Sequence, residues 1–209
     1  MGFLSVLSAA QRWVAERAAP GSVAIDATAG SGVDTLFLAR TVGAGGHVYA
    51  FDVQEAAIAR TRARLEAAGR AGEAPASGGR RGGSAGGGLA PVTLLLAGHE
   101  RMAELVAPEH RGAVRAVMFN LGYLPGEGGD RRVITRPETT LAAMEAALGL
   151  MAPGGVLTAV VYPGHEGGDA EAEAVERWMA ALPPTVAQAV QYRYPQKPAS
   201  PYLLALEKR

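Results

Sequence analysis

The sequence predicts an α/β domain, a mostly parallel sheet with helices on both faces and an antiparallel hairpin at the C-terminus. Three observations carry this. Short apolar runs alternate with segments of helical spacing along most of the chain, as they do where a sheet is covered on both sides. The first apolar run ends in a glycine-rich turn, as a buried parallel strand does. The last two apolar runs flank PQKPAS, which reads as a hairpin loop.

The elements follow in order. Apolar and small residues across 3–19 predict a leading helix. SVAIDAT (22–28) predicts the first strand, DTLFLARTV (34–42) a helix and HVYAFDV (47–53) the second strand. EAAIARTRARLEAAG (55–69) predicts a helix that stops at Gly69. RAGEAPASGGRRGGSAGGGLAP (70–91) has almost nothing to bury and predicts a mobile loop within one domain, 1–209, rather than a boundary. PVTLLLAG (91–98) is the third strand, with a short helix after it, and AVRAVMF (113–119) the fourth. PETTLAAMEAALGLM (137–151) is a helix whose Pro137 suits the first turn and whose Glu138 suits the positive end. GGVLTAVVY (154–162) is the fifth strand and DAEAEAVERWMAAL (169–182) a helix. TVAQAVQYRY and PYLLALEKR form the hairpin.

Composition narrows the function classes. The 209 residues suit one α/β domain, and 48% hydrophobic residues argue against disorder. The chain has no cysteine, which excludes a disulfide framework, Cys-based zinc sites and a thiol nucleophile. Lys+Arg and Asp+Glu are both 20, so broad backbone-driven nucleic-acid binding is disfavoured while a local basic patch is permitted. Lys197 and Lys208 are the only lysines, and arginine suits stacking and bidentate phosphate contacts. No apolar run reaches the length of a spanning helix. The N-terminus lacks a basic n-region, and Arg12, Glu16 and Arg17 interrupt its apolar stretch, so a cytoplasmic protein is expected.

Ligands on such sheets bind at the carboxyl ends of the strands. Strand one ends in Asp26, Thr28, Gly30, Gly32, Asp34 and Thr35. The glycines allow a tight turn and close approach of a ligand to the backbone. Strand two ends in Asp52, followed by Val53 and Gln54. An acid there accepts hydrogen bonds from both ribose hydroxyls of a nucleoside, and it also suits the cap of the next helix. The third glycine of a dinucleotide fingerprint is replaced by Thr35. Asp34 would repel a pyrophosphate at the helix start, yet it suits a cationic cofactor such as S-adenosylmethionine (SAM). An NAD-linked oxidoreductase is the alternative of a different class. Gly98 and His99 end strand three, where an adenine would lie.

DATAGSGVDTLFLA, HVYAFDVQ, AGHE, FNLGYLPG, ITRPETTLAA, YPGH and the final ALEKR occur in this order. Together they resemble a family of small class I SAM-dependent methyltransferases long labelled rRNA methylases. That family includes the tRNA methyltransferase acting on 5-aminomethyl-2-thiouridine at the wobble position. The resemblance covers nearly the whole chain outside 70–91. It implies a Rossmann-like sheet of seven strands with the last antiparallel, SAM as cofactor, no metal, a tRNA anticodon loop as partner and often a homodimer. Thr28 departs from the glycine usual in class I loops. An rRNA or a small amine remains an alternative substrate.

Asn120-Leu121-Gly122-Tyr123 has the spacing of the [Asp/Asn]-Pro-Pro-[Tyr/Phe] loop of amine methyltransferases, with Leu and Gly for the prolines. The likeness implies that Asn120 orients the amine and Tyr123 carries the base, while Pro125 stiffens the loop. A splayed wobble base stacks on aromatic rings, for which Tyr123 is the first candidate, then Tyr162 and Tyr194. Arg131, Arg132 and Arg136 are candidates for anticodon phosphates. His165 is a substrate-side candidate and, with Asp34 and water, a possible proton acceptor.

Overall fold

The computed structural model describes residues 2–73, 88–122, 124, 126, 129–130, 132–164, 167–197 and 199–209. Tyr123, Pro125, Arg131, His165 and most of the expected 70–91 loop, including Arg80 and Arg81, lie outside the described residues.

One sheet of seven strands organises the chain, in the order β3-β2-β1-β4-β5-β7-β6. The strands are β1 (Val23–Asp26), β2 (His47–Asp52), β3 (Val92–Leu96), β4 (Val114–Asn120), β5 (Met151–Val161), β6 (Ala187–Tyr192) and β7 (Tyr202–Lys208). The pairs β3–β2, β2–β1, β1–β4 and β4–β5 are parallel, while β7 is antiparallel to both β5 and β6. The chain order reverses between β1 and β4, so the crevice of the doubly wound sheet opens there.

The helices are α1 (Val6–Ala15), α2 (Val33–Val42), α3 (Glu55–Glu73), α4 (Met102–Leu105), α5 (Pro137–Leu150) and α6 (Gly168–Ala181), with 3-10 turns at His99–Arg101 and Pro108–His110. Two cores cover the sheet. On one face Ala10 and Val14 of α1 and Leu38 and Val42 of α2 pack on Ala24, Val48, Ala116 and Leu203. On the other, Met102, Met144, Ala147 and Val175 pack on Ile25, Phe51, Val117, Phe119 and Leu157. The inner strands β1 and β2 are buried almost throughout because both faces are covered, whereas β3 at the sheet edge is half-buried with Leu96 exposed. Ser5 caps α1, its side chain accepting from the Ser8 N–H at 3.1 Å.

Several boundaries differ from expectation: α1 covers Val6–Ala15 rather than 3–19, β1 and β3 are shorter than 22–28 and 91–98, and two further cases have a local cause. α3 does not stop at Gly69 but runs on to Glu73. A mid-helix glycine costs only about 1 kcal/mol, and Arg70 and Ala71 are good helix formers. β5 begins at Met151 rather than Gly154. Met151 pairs with Val114 and Val156 with Ala116, so a bulge absorbs the extra residues. Pro153 and Gly154 are exposed within it, where a sheet tolerates such residues. The Arg115 guanidinium donates to the Pro153 carbonyl at 2.8 Å.

Candidate active site

The carboxyl ends of β1 to β5 converge on a cleft of about 620 Å³. Its walls include Thr28, Gly30, Asp34, Asp52, Gly98, Asn120 and Tyr162.

The loop after β1 is shaped by two acids. Asp26 is 1% exposed. Its two oxygens accept from the Thr28 N–H at 3.1 Å and the Thr35 hydroxyl at 2.6 Å. Burial, with the Asp34 charge beside it, pushes the Asp26 carboxyl up to about 7. Asp52 accepts from the Gly30 N–H at 2.9 Å and the Gln54 N–H at 2.9 Å, one on each oxygen. The Gln54 bond closes a turn just before α3, which begins at Glu55, so Asp52 precedes the helix cap expected of it. Each oxygen keeps a free lone pair on the cleft wall, which suits two adjacent hydroxyls.

Gly30 and Gly32 have φ of 54° and 76°, in the left-handed region. A Cβ on Gly32 would lie 2.8 Å from the Thr61 Cα. The glycine thus lets α3 close against the loop. The Arg64 Nε donates to the Ser31 carbonyl at 2.6 Å and closes it further.

Asp34 stands at the start of α2 and lines the cleft. Burial raises its pKa, and the Gln11 amide, donating at 2.9 Å from α1, partly offsets that. Carboxylates at Asp34 and Asp52 make this wall unsuited to a pyrophosphate and suited to a cationic nucleoside.

His99 ends β3 and is 7% exposed. Its Nδ1 lies 3.1 Å from the Ala27 carbonyl, which only accepts, so Nδ1 carries the proton. Burial lowers its pKa, so the ring is neutral, and it meets Phe119 edge-on at 5.6 Å. His99 therefore ties β1 to β3 while its margin lines the cleft.

Asn120 is exposed at the end of β4. Its backbone N–H donates to the Thr28 hydroxyl at 2.8 Å. Its side chain lies beside the Tyr162 phenol. Burial and the nearby Asp34 charge raise the Tyr162 phenol, so it stays protonated. Asn120, Tyr162 and Asp34 thus share one corner of the cleft. Among the described residues, none of the possible His, Asp or Glu clusters could hold a metal ion.

The cleft brings together most expected residues, including Val53, Gln54, Arg132 and Arg136. Asp26, Gly32 and Thr35 instead lie behind the loop, buried, where they set its shape. Tyr194 lies away from the cleft wall, and its phenol, like that of Tyr192, donates to the Leu4 carbonyl. The spacing argument misses Gln11, Thr135, Thr139 and Glu100. Thr135 and Thr139 stand in the conspicuous ITRPETT stretch, which is the signal that points to them.

Sheet order, glycine loop and paired acids together define a class I methyltransferase. The chain belongs to the family described as "Putative rRNA methylase", which it matches over residues 48–208. It is 38% identical over 194 residues to the Arabidopsis thaliana protein named chloroplastic tRNA (mnm(5)s(2)U34)-methyltransferase, covering 90% of this chain and 64% of that relative. The chain thus spans just under two thirds of that relative's length. A structure described as a "putative rRNA-methylase" from Clostridium thermocellum superposes with a TM-score of 0.84 at 31% identity, over 100% of both chains. A "putative methyltransferase" from Streptococcus mutans, solved in complex with SAH, superposes with a TM-score of 0.79 at 32% identity, also over 100% of both chains. Among the described residues, no helix is long and apolar enough to cross a membrane.

Proposed function

We propose that this protein is a SAM-dependent N-methyltransferase that converts the 5-aminomethyl group of a wobble 2-thiouridine in tRNA to methylaminomethyl. One observation carries the reading: an exposed amide, Asn120, is fixed to the cofactor loop through Thr28 at 2.8 Å. The Arabidopsis relative's name supports the same substrate.

SAM supplies a methyl group on a cationic sulfur. Asp52 would accept the ribose hydroxyls, and Gly30 would let the loop backbone approach the nucleoside. Asp34 would add negative charge beside the cation. Asn120 would accept a hydrogen bond from the amine and aim its lone pair along the line of displacement. A nitrogen–carbon bond forms as a carbon–sulfur bond breaks, and the amine gives up one proton. An alkylammonium has no lone pair, so that proton must leave first. Asp34 suits the task among the described groups: it lines the same cleft, and burial makes it a stronger base than an ordinary carboxylate. Tyr162 would pack beside the base, with Tyr123 and His165 as further substrate-side groups. Arg131, Arg132 and Arg136 would face anticodon phosphates. A cytoplasmic homodimer is part of the proposal.

The test is methyl transfer to tRNA carrying the unmethylated aminomethyl group, followed by nucleoside mass spectrometry. The expected product gains one methyl on the wobble base. Transfer to rRNA but not to this tRNA would favour the second reading, an rRNA methylase, which the family description supports.

A further inference from the structure

In relatives with two prolines in the acceptor loop, the rings stiffen the chain. Here the corresponding residues are Leu121 and Gly122, and both use the N–H that a proline lacks. The Leu121 N–H donates to the Val160 carbonyl at 2.9 Å, extending the β4–β5 ladder by one residue. The Gly122 N–H donates to the Thr135 hydroxyl at 2.9 Å, and the Thr135 N–H returns a bond to the Gly122 carbonyl at 3.0 Å. Gly122 has φ of 134°, which a proline ring cannot adopt and other L-residues rarely do.

Behind this clasp lies a buried acid. Glu171, in the first turn of α6, is 3% exposed. Its Oε2 accepts from the Thr135 hydroxyl at 2.6 Å and its Oε1 from the Thr140 hydroxyl at 2.7 Å. The positive end of α6 favours the charge. A hydroxyl has one proton to give. With that proton committed to Glu171, the Thr135 oxygen must turn its lone pairs elsewhere, and Gly122 N–H takes one. The carboxylate thereby sets the direction of the whole relay, from Gly122 through Thr135 to Glu171.

We infer that Glu171 is a positioning residue: acting through Thr135, it holds Gly122 and hence the neighbouring Asn120 in the geometry that aims the amine. This rests on the amine-transfer reading above. It replaces the stiffness of proline rings with charge-assisted hydrogen bonds.

The test compares Thr135→Val, Thr135→Ser and Glu171→Gln with the unaltered protein. Three quantities are read: single-turnover methyl transfer to aminomethyl tRNA, SAM affinity by calorimetry, and amide hydrogen exchange at Gly122. Thr135→Val and Glu171→Gln should each slow transfer by about tenfold or more. SAM affinity should stay within about twofold, and Gly122 exchange should quicken by a similar factor to the rate loss. Thr135→Ser, which keeps the hydroxyl, should restore rate and protection. The inference is overturned if Thr135→Val keeps both, if the serine variant is no better than valine, or if SAM affinity falls in step with rate. Should the unaltered protein fail to methylate this tRNA, the substrate reading falls, and exchange at Gly122 alone decides the relay: unchanged protection in the valine and glutamine variants sinks it.

Discussion

The backbone N–H of Asn120 donates to the side-chain hydroxyl of Thr28 at 2.8 Å, joining the end of β4 to the loop after β1. Most class I loops carry a glycine where Thr28 stands, so they lack this side-chain link. Under the proposed function, this one hydroxyl couples the cofactor side of the cleft to the acceptor side. Thr28→Val keeps the shape and removes the acceptor. It should lower turnover by about three- to tenfold, the worth of one net hydrogen bond, with SAM affinity changed less. Thr28→Ser should keep most of the rate. Steady-state kinetics beside calorimetry checks this.

Asp52 holds Gly30 and Gln54 with its two oxygens and presents its remaining lone pairs to the cleft. Asp52→Asn keeps the size but loses the charge and one acceptor. Hydrogen bonds to a charged group are worth about 1.5–3 kcal/mol each. SAM affinity should fall by about 10- to 100-fold in calorimetry. An unchanged affinity would remove Asp52 from the ribose site.

Asn120 is exposed, and its backbone N–H joins it to the loop after β1. Asn120→Ala should therefore spare SAM binding and cut the rate of transfer by about 10²-fold, as loss of a group that orients the reacting atoms does. Rapid-quench measurement at saturating SAM separates the two effects. Wild-type turnover would end the amine-positioning role.

The strand ends were legible because their chemistry is local. Asp52 and the glycine loop lie on consecutive strands, and Asn120 follows the apolar run AVMF. What stayed hidden is tertiary. Gln11 reaches Asp34 across 23 residues, and Glu171 reaches Thr135 across 36. Glu171 reads in sequence as one more acid in the first turn of an Ala/Glu-rich helix. Asp26 and Thr35 illustrate a second limit: the turn's residue pattern does not say which side of the turn a ligand sees. Their mutual bond at 2.6 Å turns them away from the cleft wall. The run of α3 past Gly69 illustrates a third, since a cost near 1 kcal/mol does not by itself end a helix.

The Asp26 carboxyl gives the fold a pH dependence of definite sign. Its value rises from 3.8 to about 7, chiefly through burial. The folded state then binds this proton more tightly than the unfolded state does. The stability so gained is complete below about pH 4 and is lost as pH rises through about 7. Asp34, also raised by burial, adds a contribution of the same sign. Between about pH 5 and about pH 8 the cofactor-free protein should lose resistance to urea. Asp26→Asn, which still accepts from the Thr28 N–H, should flatten that slope. Equal slopes in the two proteins would show that Asp26 titrates at an ordinary carboxylate pH.

Arg132 and Arg136 both line the cleft mouth, but they differ in how freely their charge faces a ligand. Arg132 is locked to Asp130 by two bonds, Nε to Oδ1 at 3.0 Å and Nη2 to Oδ2 at 2.9 Å, which cancels much of its field. Among the described residues, no ion pair involves Arg136. An RNA phosphate should therefore feel Arg136 more than Arg132. Arg136→Ala should weaken tRNA binding at every sequence and reduce the slope of log affinity against log salt by about 1. Arg132→Ala should weaken binding too, because it leaves Asp130 as a bare negative charge at the mouth. Asp130→Asn provides the sharper contrast. It frees the Arg132 guanidinium and removes one negative charge, so tRNA binding should tighten and the salt slope should steepen. Filter binding over a range of salt concentrations reads all three variants. If Asp130→Asn weakens binding, Asp130 orients Arg132 toward the phosphate instead of neutralising it.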